Sequence, residues 1–542
     1  MMEGMHTAAV IPPRRVQTRR GLGSFLLGLI AAGLSGAALA ALFPTIGWDW
    51  MAWFALVPLW IVVARAESVW RALWPGYVAG VVFFAISCPW IATTVHHYGD
   101  LSPAMAGVVF ICFLLLMGSY LALFALLGYA VGKGIGHRLW PLPFVWVAVE
   151  LFRTYTPMGG FPWNLLGYSQ YQHVGFMMST TIAGVYGASF IIALANTLIA
   201  ALALRFWASK PRRVSWPTRG DAALAVALAI ILGFATLPYH PRTSPIDPLR
   251  ARLVQPNTPL AASWTSASLE QFLQHQLTLS DPAGSPPVNL ILWPEQPAPL
   301  EYAMQPAFQA MTAEMVSRSH AAFLFDQVTY GLTPSGTLDL NAPHNSAILI
   351  RPDGTTGEHY NKIHLVPFGE YVPLPGWLQR FLGASKLVQN VGNFVPGHQL
   401  TLFNVAGHRF SALICYESIF PQLARQETRR GAEWLVNLSD DSWYGHSSAQ
   451  AQGLMMARTR AIENHRWLLR DTDNGLTAVI GPYGRVMREL ARAQSTSIES
   501  GFQPLSQLTF YTRHGDWLAY ACCILVALLG LAALVRRWLP HR

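Results

Sequence analysis

Uncharged apolar stretches long enough to cross a bilayer recur along this chain, and that recurrence restricts its fold more than any other feature. A hydrocarbon core about 30 Å thick takes roughly 20 helical residues to span. Residues 25–43, 72–95, 101–132, 174–204, 222–239 and 517–535 each lack Asp, Glu, Lys and Arg. Two weaker stretches, 50–64 beside Asp49 and 139–151 with Glu150 inside it, suit helices shielded by their neighbours. The expectation is a membrane domain of about eight helices. With 52% hydrophobic and 12% charged residues, the composition excludes an ordinary soluble protein.

The net charge of +9 does not point to nucleic acid, because the cations gather at helix ends: Arg65 and Arg71, Lys133 and Arg138, Arg205 through Arg219, Arg536, Arg537 and Arg542. Alternate loops carry these clusters, and positive loops stay in the cytoplasm. Both termini are therefore expected there, with seven crossings placing residues 245–510 outside. The first stretch follows Arg14, Arg15, Arg19 and Arg20 but runs long and lacks a cleavage site, so it reads as a retained anchor rather than a secretory leader.

Four prolines between Pro238 and Pro248 mark a linker. The expected domains are 1–245 in the membrane, 250–505 as an α/β unit, and 510–542 as a last transmembrane helix with a tail. Short apolar runs at 252–254, 289–293, 321–328, 346–350, 410–415, 434–438 and 477–480 read as buried strands. Helical periodicity at 268–279, 305–320 and 453–466 lies between them, which makes a layered α/β domain. Residues 374–397 form an apolar Gly- and Pro-containing loop that either covers a site, touches lipid or folds onto its own core.

Of five cysteines, Cys88, Cys112, Cys522 and Cys523 fall in or beside apolar spans, leaving Cys415 alone in the external domain. A single thiol on an oxidising side is either inertly buried or kept for reactivity. Glu295 closes Asn-Leu-Ile-Leu-Trp-Pro-Glu, and is either a helix N-terminal residue or a buried general base. Lys362 is either a solvated loop lysine or a stabiliser of negative charge. Together the three make a machine: a carboxylate takes the thiol proton, and an ammonium steadies thiolate and oxyanion.

In that order, Glu, Lys and Cys resemble the triad of the nitrilase superfamily, which implies an α-β-β-α sandwich. Lys362-Ile-His-Leu-Val-Pro-Phe-Gly-Glu-Tyr-Val-Pro373 with Tyr360, and Cys415-Tyr-Glu417, resemble the signatures of the apolipoprotein N-acyltransferase family. In the membrane half, Glu150-Leu-Phe-Arg153, Gly160-Phe-Pro-Trp-Asn164 and Gly167-Tyr-Ser-Gln170 are similar to the same family. So are Asn437 to Tyr444 and Arg458 to Arg466, followed by Arg470, read as scaffold. Departures are Gln-Pro-Ala after Glu295, Asp440 where Asn is usual, and Tyr444 for a usual Phe, which bear on pocket shape.

The resemblance implies Glu295 as base, Lys362 as oxyanion stabiliser and Cys415 as nucleophile. It implies Glu370, Tyr416 and Glu417 in support, and Trp264, Trp443 and Tyr444 at the substrate. Glu370 and Glu417 are either a structural ion pair or two carboxylates holding the Lys362 ammonium. It further implies a bacterial inner-membrane protein with a periplasmic catalytic domain, a phospholipid acyl donor, a diacylglyceryl apolipoprotein acceptor and a monomer. The alternatives are a membrane-anchored nitrilase-type amidase and a non-enzymatic lipid-binding scaffold. No cofactor and no metal is expected: no Gly-rich phosphate loop or metal-spaced His/Cys cluster occurs, and His364 and His446 read as structural.

Overall fold

The computed structural model describes residues 21–97, 101–208, 248–259, 263–281, 284–333, 335–373 and 393–538. The expected span 222–239, nearly all of the linker, and residues 374–392 of the apolar loop lie outside the described residues.

The membrane half is helical: α1 (Leu22–Ala41), α2 (Val57–Arg65), α3 (Val69–Ser87), α4 (Trp90–His97), α5 (Pro103–Ile135), α6 (Leu142–Tyr155), α7 (Val174–Met177) and α8 (Thr180–Ala208). Among the described residues five helices are long and apolar enough to cross a membrane: α1, α3, α5, α8 and a C-terminal one. The stretch 72–95 does not run through as one helix, because Pro89 cannot continue α3 and the chain restarts as α4. The stretch 50–64 divides into a 3₁₀ turn, Asp49–Trp53, and the nine-residue α2.

α6 has 14 residues. At 1.5 Å each it is about 21 Å long, too short to cross alone. Its buried ends are put to use: Glu150 Oε1 accepts the Leu166 N–H at 2.7 Å, and Arg153 donates to the carbonyls of Phe161 (3.2 Å) and Trp163 (2.8 Å). These bonds fix the loop that touches the catalytic half through Gly160 and Trp163. Leu26, Leu27, Ile30 and Leu34 of α1 point outward, an apolar face that suits lipid.

The second half holds β1 (Leu249–Gln255), β2 (Leu290–Leu292), β3 (Ala322–Leu332), β4 (Leu338–Ile350), β5 (Thr356–Asn361), β6 (Phe403–Val405), β7 (His408–Ile414), β8 (Trp434–Ser439), β9 (Leu468–Thr472), β10 (Ala478–Ile480), β11 (Val486–Glu489) and β12 (Thr496–Phe502). They form two six-stranded sheets, β12-β1-β2-β3-β4-β5 and β11-β10-β9-β8-β7-β6. Leu253, Leu292 and Leu324 of one sheet meet Phe410, Trp434 and Val436 of the other in a shared core. α9 (Ser266–Ser280) and α10 (Pro306–Ser319) cover the first sheet. α11 (Pro421–Arg430) and α12 (Ala449–Asn464) cover the second, completing an α-β-β-α sandwich.

That last helical layer joins the two halves. Leu423, Leu454 and Met455 share one apolar cluster with Tyr168, Val185 and Ile192 of the membrane half. Gln452 receives the Trp163 indole N–H at 2.6 Å and donates to the carbonyls of Pro44 (2.9 Å) and Ser87 (3.0 Å). The buried pair Arg460–Glu463 (2.9 Å) reaches Tyr168 and the Val185 N–H. After α13 (Phe510–His514), α14 (Trp517–Trp538) returns to the helical bundle, where Ala519, Cys522 and Val526 enter the same cluster.

Candidate active site

Each of the three chemical residues stands at or just beyond a strand end. Lys362 follows β5 and Cys415 follows β7 directly, while Glu295 comes shortly after β2. Cys415 has φ +48°, a left-handed backbone on a non-glycine residue. Such strain persists only where the surroundings hold it. The holder is Glu417, whose Oε2 accepts the Ile414 N–H at 2.8 Å. Its Oε1 accepts from the N–H groups of Ile363 (2.8 Å) and His364 (3.0 Å) and from the Tyr360 hydroxyl (2.7 Å). Glu417 therefore ties the Lys362 segment to the turn that carries Cys415.

Lys362 is nearly fully buried and its Nζ lies 3.0 Å from Glu295 Oε1 and 2.8 Å from Glu370 Oε1. Its ion-pair partners among the described residues are Glu295 and Glu370, so of the two expected supporting carboxylates only Glu370 holds the ammonium. The second oxygens are also engaged: Glu295 Oε2 accepts the Asp440 N–H at 3.0 Å, and Glu370 Oε2 accepts the Val366 N–H at 2.7 Å. A buried ionic group needs such complete pairing to be tolerated.

The charges settle the resting protonation. Burial pushes the Glu295 carboxyl up, but the Lys362 ammonium and hydrogen bonds from Asp440 and Asn345 outweigh it and hold it below its ordinary 4.5. Burial likewise opposes the Lys362 charge, yet Glu295 and Glu370 keep it well above an ordinary lysine. The Cys415 thiol is pushed well up by burial and by Glu295, with Lys362 and Ser439 pulling the other way. At neutral pH the site thus holds a carboxylate, an ammonium and a protonated thiol. Asp440 is pushed up to about 7, chiefly by burial, with the charge of Glu295 adding.

Tyr444 packs edge-on against Trp90 at 5.1 Å and lies 6.2 Å from Trp163, in an aromatic cluster at the seam between the halves. The Trp443 carbonyl accepts from Thr94 Oγ1 of α4 at 2.9 Å. Tyr416 donates its hydroxyl to the Gly160 carbonyl at 3.1 Å. Trp264 lies elsewhere, edge-on to Phe272 at 5.3 Å in the layer outside the first sheet. Beside the Cys415 elbow, the turn that follows β7, Arg470 grips both oxygens of Asp441 at 2.8 Å, and a side chain at Gly475 would collide with that carboxylate.

Two residues of the site escaped the sequence reading. Asn345 Nδ2 donates to Glu295 Oε1 at 2.9 Å and to Glu370 Oε1 at 3.0 Å, bridging the carboxylates that flank Lys362. The signal was a polar pair, Asn345-Ser346, opening an apolar strand end. Asp326 is fully buried in β3, and burial, reinforced by Glu295 and opposed by Lys362, holds it well above its ordinary value, which favours the protonated form. Its signal was an acid inside Ala-Phe-Leu-Phe-Asp-Gln-Val. Asn345→Ala is expected to cost about 1–3 kcal/mol, because hydrogen bonds to buried charged groups are lost. Thermal unfolding in detergent measures this; an unchanged midpoint would show the bridge to be idle.

Comparisons with known proteins agree with this construction. The family model described as the apolipoprotein N-acyltransferase N-terminal domain matches residues 35–198, and that for carbon-nitrogen hydrolase matches 250–500. The chain is 31% identical to the apolipoprotein N-acyltransferase of Geobacter metallireducens over 95% of this chain and 96% of the relative. It is 30% identical to that of Rhodopseudomonas palustris, over 95% of each chain. The corresponding protein of Azotobacter vinelandii is 31% identical over 96% of each. These near-full-length matches disfavour the amidase alternative and, with the apolar helices, fit an inner-membrane protein. An acyltransferase of lipoprotein biosynthesis, with a nitrilase-like domain joined to apolar helices, this chain belongs to the apolipoprotein N-acyltransferase family.

Proposed function

We propose that, within lipoprotein N-acylation, Cys415 is the acyl carrier, Glu295 the proton acceptor and Lys362 the stabiliser of the tetrahedral oxyanion. The observation that carries this reading is the buried Glu295–Lys362 pair, which acts electrostatically on a thiol set on a left-handed turn. Cys415 Sγ attacks the ester carbonyl carbon of a membrane phospholipid as its proton passes to Glu295. The carbonyl electrons move onto oxygen, opposite Lys362. Collapse breaks the ester C–O bond, and the leaving alkoxide takes the proton from Glu295, releasing lysophospholipid.

The free amine of a diacylglyceryl-cysteine then attacks the thioester carbonyl and gives its proton through Glu295 to the departing thiolate. An amide forms and the thiol is restored, so no proton or electron is left over. Glu370 keeps the ammonium in place, Glu417 and Tyr416 hold the elbow, and Trp264, Trp443 and Tyr444 contribute to substrate binding. The reading includes a periplasmic catalytic half spanning 250–505, membrane parts 1–245 and 510–542, cytoplasmic termini and a monomer. The exposed apolar helix faces support a site at the bilayer surface, where both substrates keep their heads.

The test is stoichiometry. Purified protein is incubated with phospholipid and a diacylglyceryl-peptide whose N-terminus is either free or acetylated. One lysophospholipid per acylated peptide is expected with the free amine, and a burst of about one per enzyme with the blocked one. Continuous release of free fatty acid without an amine would mean that water resolves the thioester, and would sink the transfer reading.

A further inference from the structure

The membrane half presents three successive backbone carbonyls to the catalytic half, and each is taken by a different side chain. The Met158 carbonyl accepts the Tyr371 hydroxyl at 3.3 Å, the Gly159 carbonyl pairs with His364 Nε2 at 3.1 Å, and the Gly160 carbonyl accepts the Tyr416 hydroxyl at 3.1 Å. Because a carbonyl only accepts, His364 carries its proton on Nε2 here. The three carbonyls stand out because Met158, Gly159 and Gly160 all have positive φ, at 53°, 87° and 94°. At Gly160 a side chain would run into the Thr154 carbonyl, and at Gly159 a Cβ would sit 3.3 Å from His364 Nε2.

Each gripping residue is a near sequence neighbour of a site residue. Tyr371 follows Glu370, Tyr416 follows Cys415, and His364 comes two places after Lys362. Between His364 and Tyr371 the chain makes a turn closed by Gly369 N–H to the Val366 carbonyl (3.2 Å) and Phe368 N–H to the Tyr371 carbonyl (2.8 Å). Glu370, the shorter of the two Lys362 contacts, hangs from that turn.

We infer that the Met158–Gly160 loop is a template in the membrane half that sets the position of Lys362 and Glu370 relative to Cys415, with His364 and Tyr371 as positioning residues. The inference rests on the acyl-carrier reading above. A shift of about 1 Å in a reacting group can cost a hundred-fold in rate, so two lost anchors matter without any loss of fold.

The test is the rate of thioester formation on Cys415 of the full-length protein with phospholipid alone, followed by intact mass at several lipid concentrations. His364→Ala and Tyr371→Phe are each expected to lower the maximal rate about ten-fold, within that positioning range. The lipid concentration at half-maximal rate and the unfolding temperature should stay unchanged. His364→Gln, which returns an N–H donor at the same reach, should recover most of the rate. Wild-type rates in both variants, a Gln variant as slow as the Ala one, or losses matched by falling unfolding temperatures would overturn the template. If the wild-type protein formed no thioester, the acyl-carrier reading would be the one to fall.

Discussion

Cys415→Ala is expected to abolish both the acyl-sized, hydroxylamine-sensitive mass increment after incubation with phospholipid and all transfer to a peptide amine. Removing a covalent nucleophile costs on the order of 10⁴-fold or more, and no other described thiol is placed to substitute. Cys88 and Cys522 are buried among helices, and Cys112 and Cys523 lie on membrane helices. Cys415→Ser should leave a trace at most, since an alkoxide is far harder to form than a thiolate, and burial already holds the thiol itself well above its ordinary value. Transfer by the alanine variant at more than background would remove Cys415 from the mechanism.

Glu295→Gln should lower turnover by about 10²–10⁴-fold, the contribution of a placed general base, while the protein still folds. A glutamine oxygen can still accept from Lys362 and Asn345, and only the Asp440 N–H, which bonds the other carboxylate oxygen, loses its acceptor, so the variant largely separates proton transfer from scaffold. The pH dependence of the wild type follows from the same pair. Glu295 sits below its ordinary 4.5, so its contribution to stability is complete above that value and is lost as pH falls through its folded pKa. Lys362 sits well above 10.5, so its contribution is present below that value and fades as pH rises through its folded pKa. Any acid limb in the rate that belongs to Glu295 should therefore lie below pH 4.5. Near-wild-type turnover in the glutamine variant would assign the proton to another group.

The seven strands read from apolar runs have side chains that face a core on both sides of the sheet, as Leu290–Leu292 and Trp434–Ser439 do. β5 and β12 went unseen because Thr-Gly-Glu-His-Tyr-Asn and Thr-Ser-Ile-Glu-Ser-Gly-Phe are polar edge strands, only partly buried, so no apolar run marks them. β12 takes its place through the β1 register and the Arg252–Glu499 contact at 2.6 Å. β9 is wholly buried yet contains Arg470 and Asp471, a pattern that makes sense only once Asp441 is known to receive the arginine.

At the site, Glu295, Lys362 and Cys415 were legible because each stands at a strand end within a dense motif. The position of Glu417 was not legible: the same Cys-Tyr-Glu spacing is compatible with a carboxylate reaching the ammonium or turning back to the backbone, and three N–H groups decide for the second. The polar pair at Asn345 marks the residue but not its role, because its two partners are 50 and 25 residues away.

The apolar cluster that unites both halves also bears on how such a molecule comes into being. Synthesis runs from the N-terminus, so α1 to α8 and then the whole sandwich emerge from the ribosome before α14 exists. Yet Ala519, Cys522 and Val526 of α14 fill the same interior as Trp60, Tyr168 and Met455. The first-made helices must therefore wait, with one flank open, for one made after the sandwich, and the floor on which the sandwich rests is finished only once α14 has joined them.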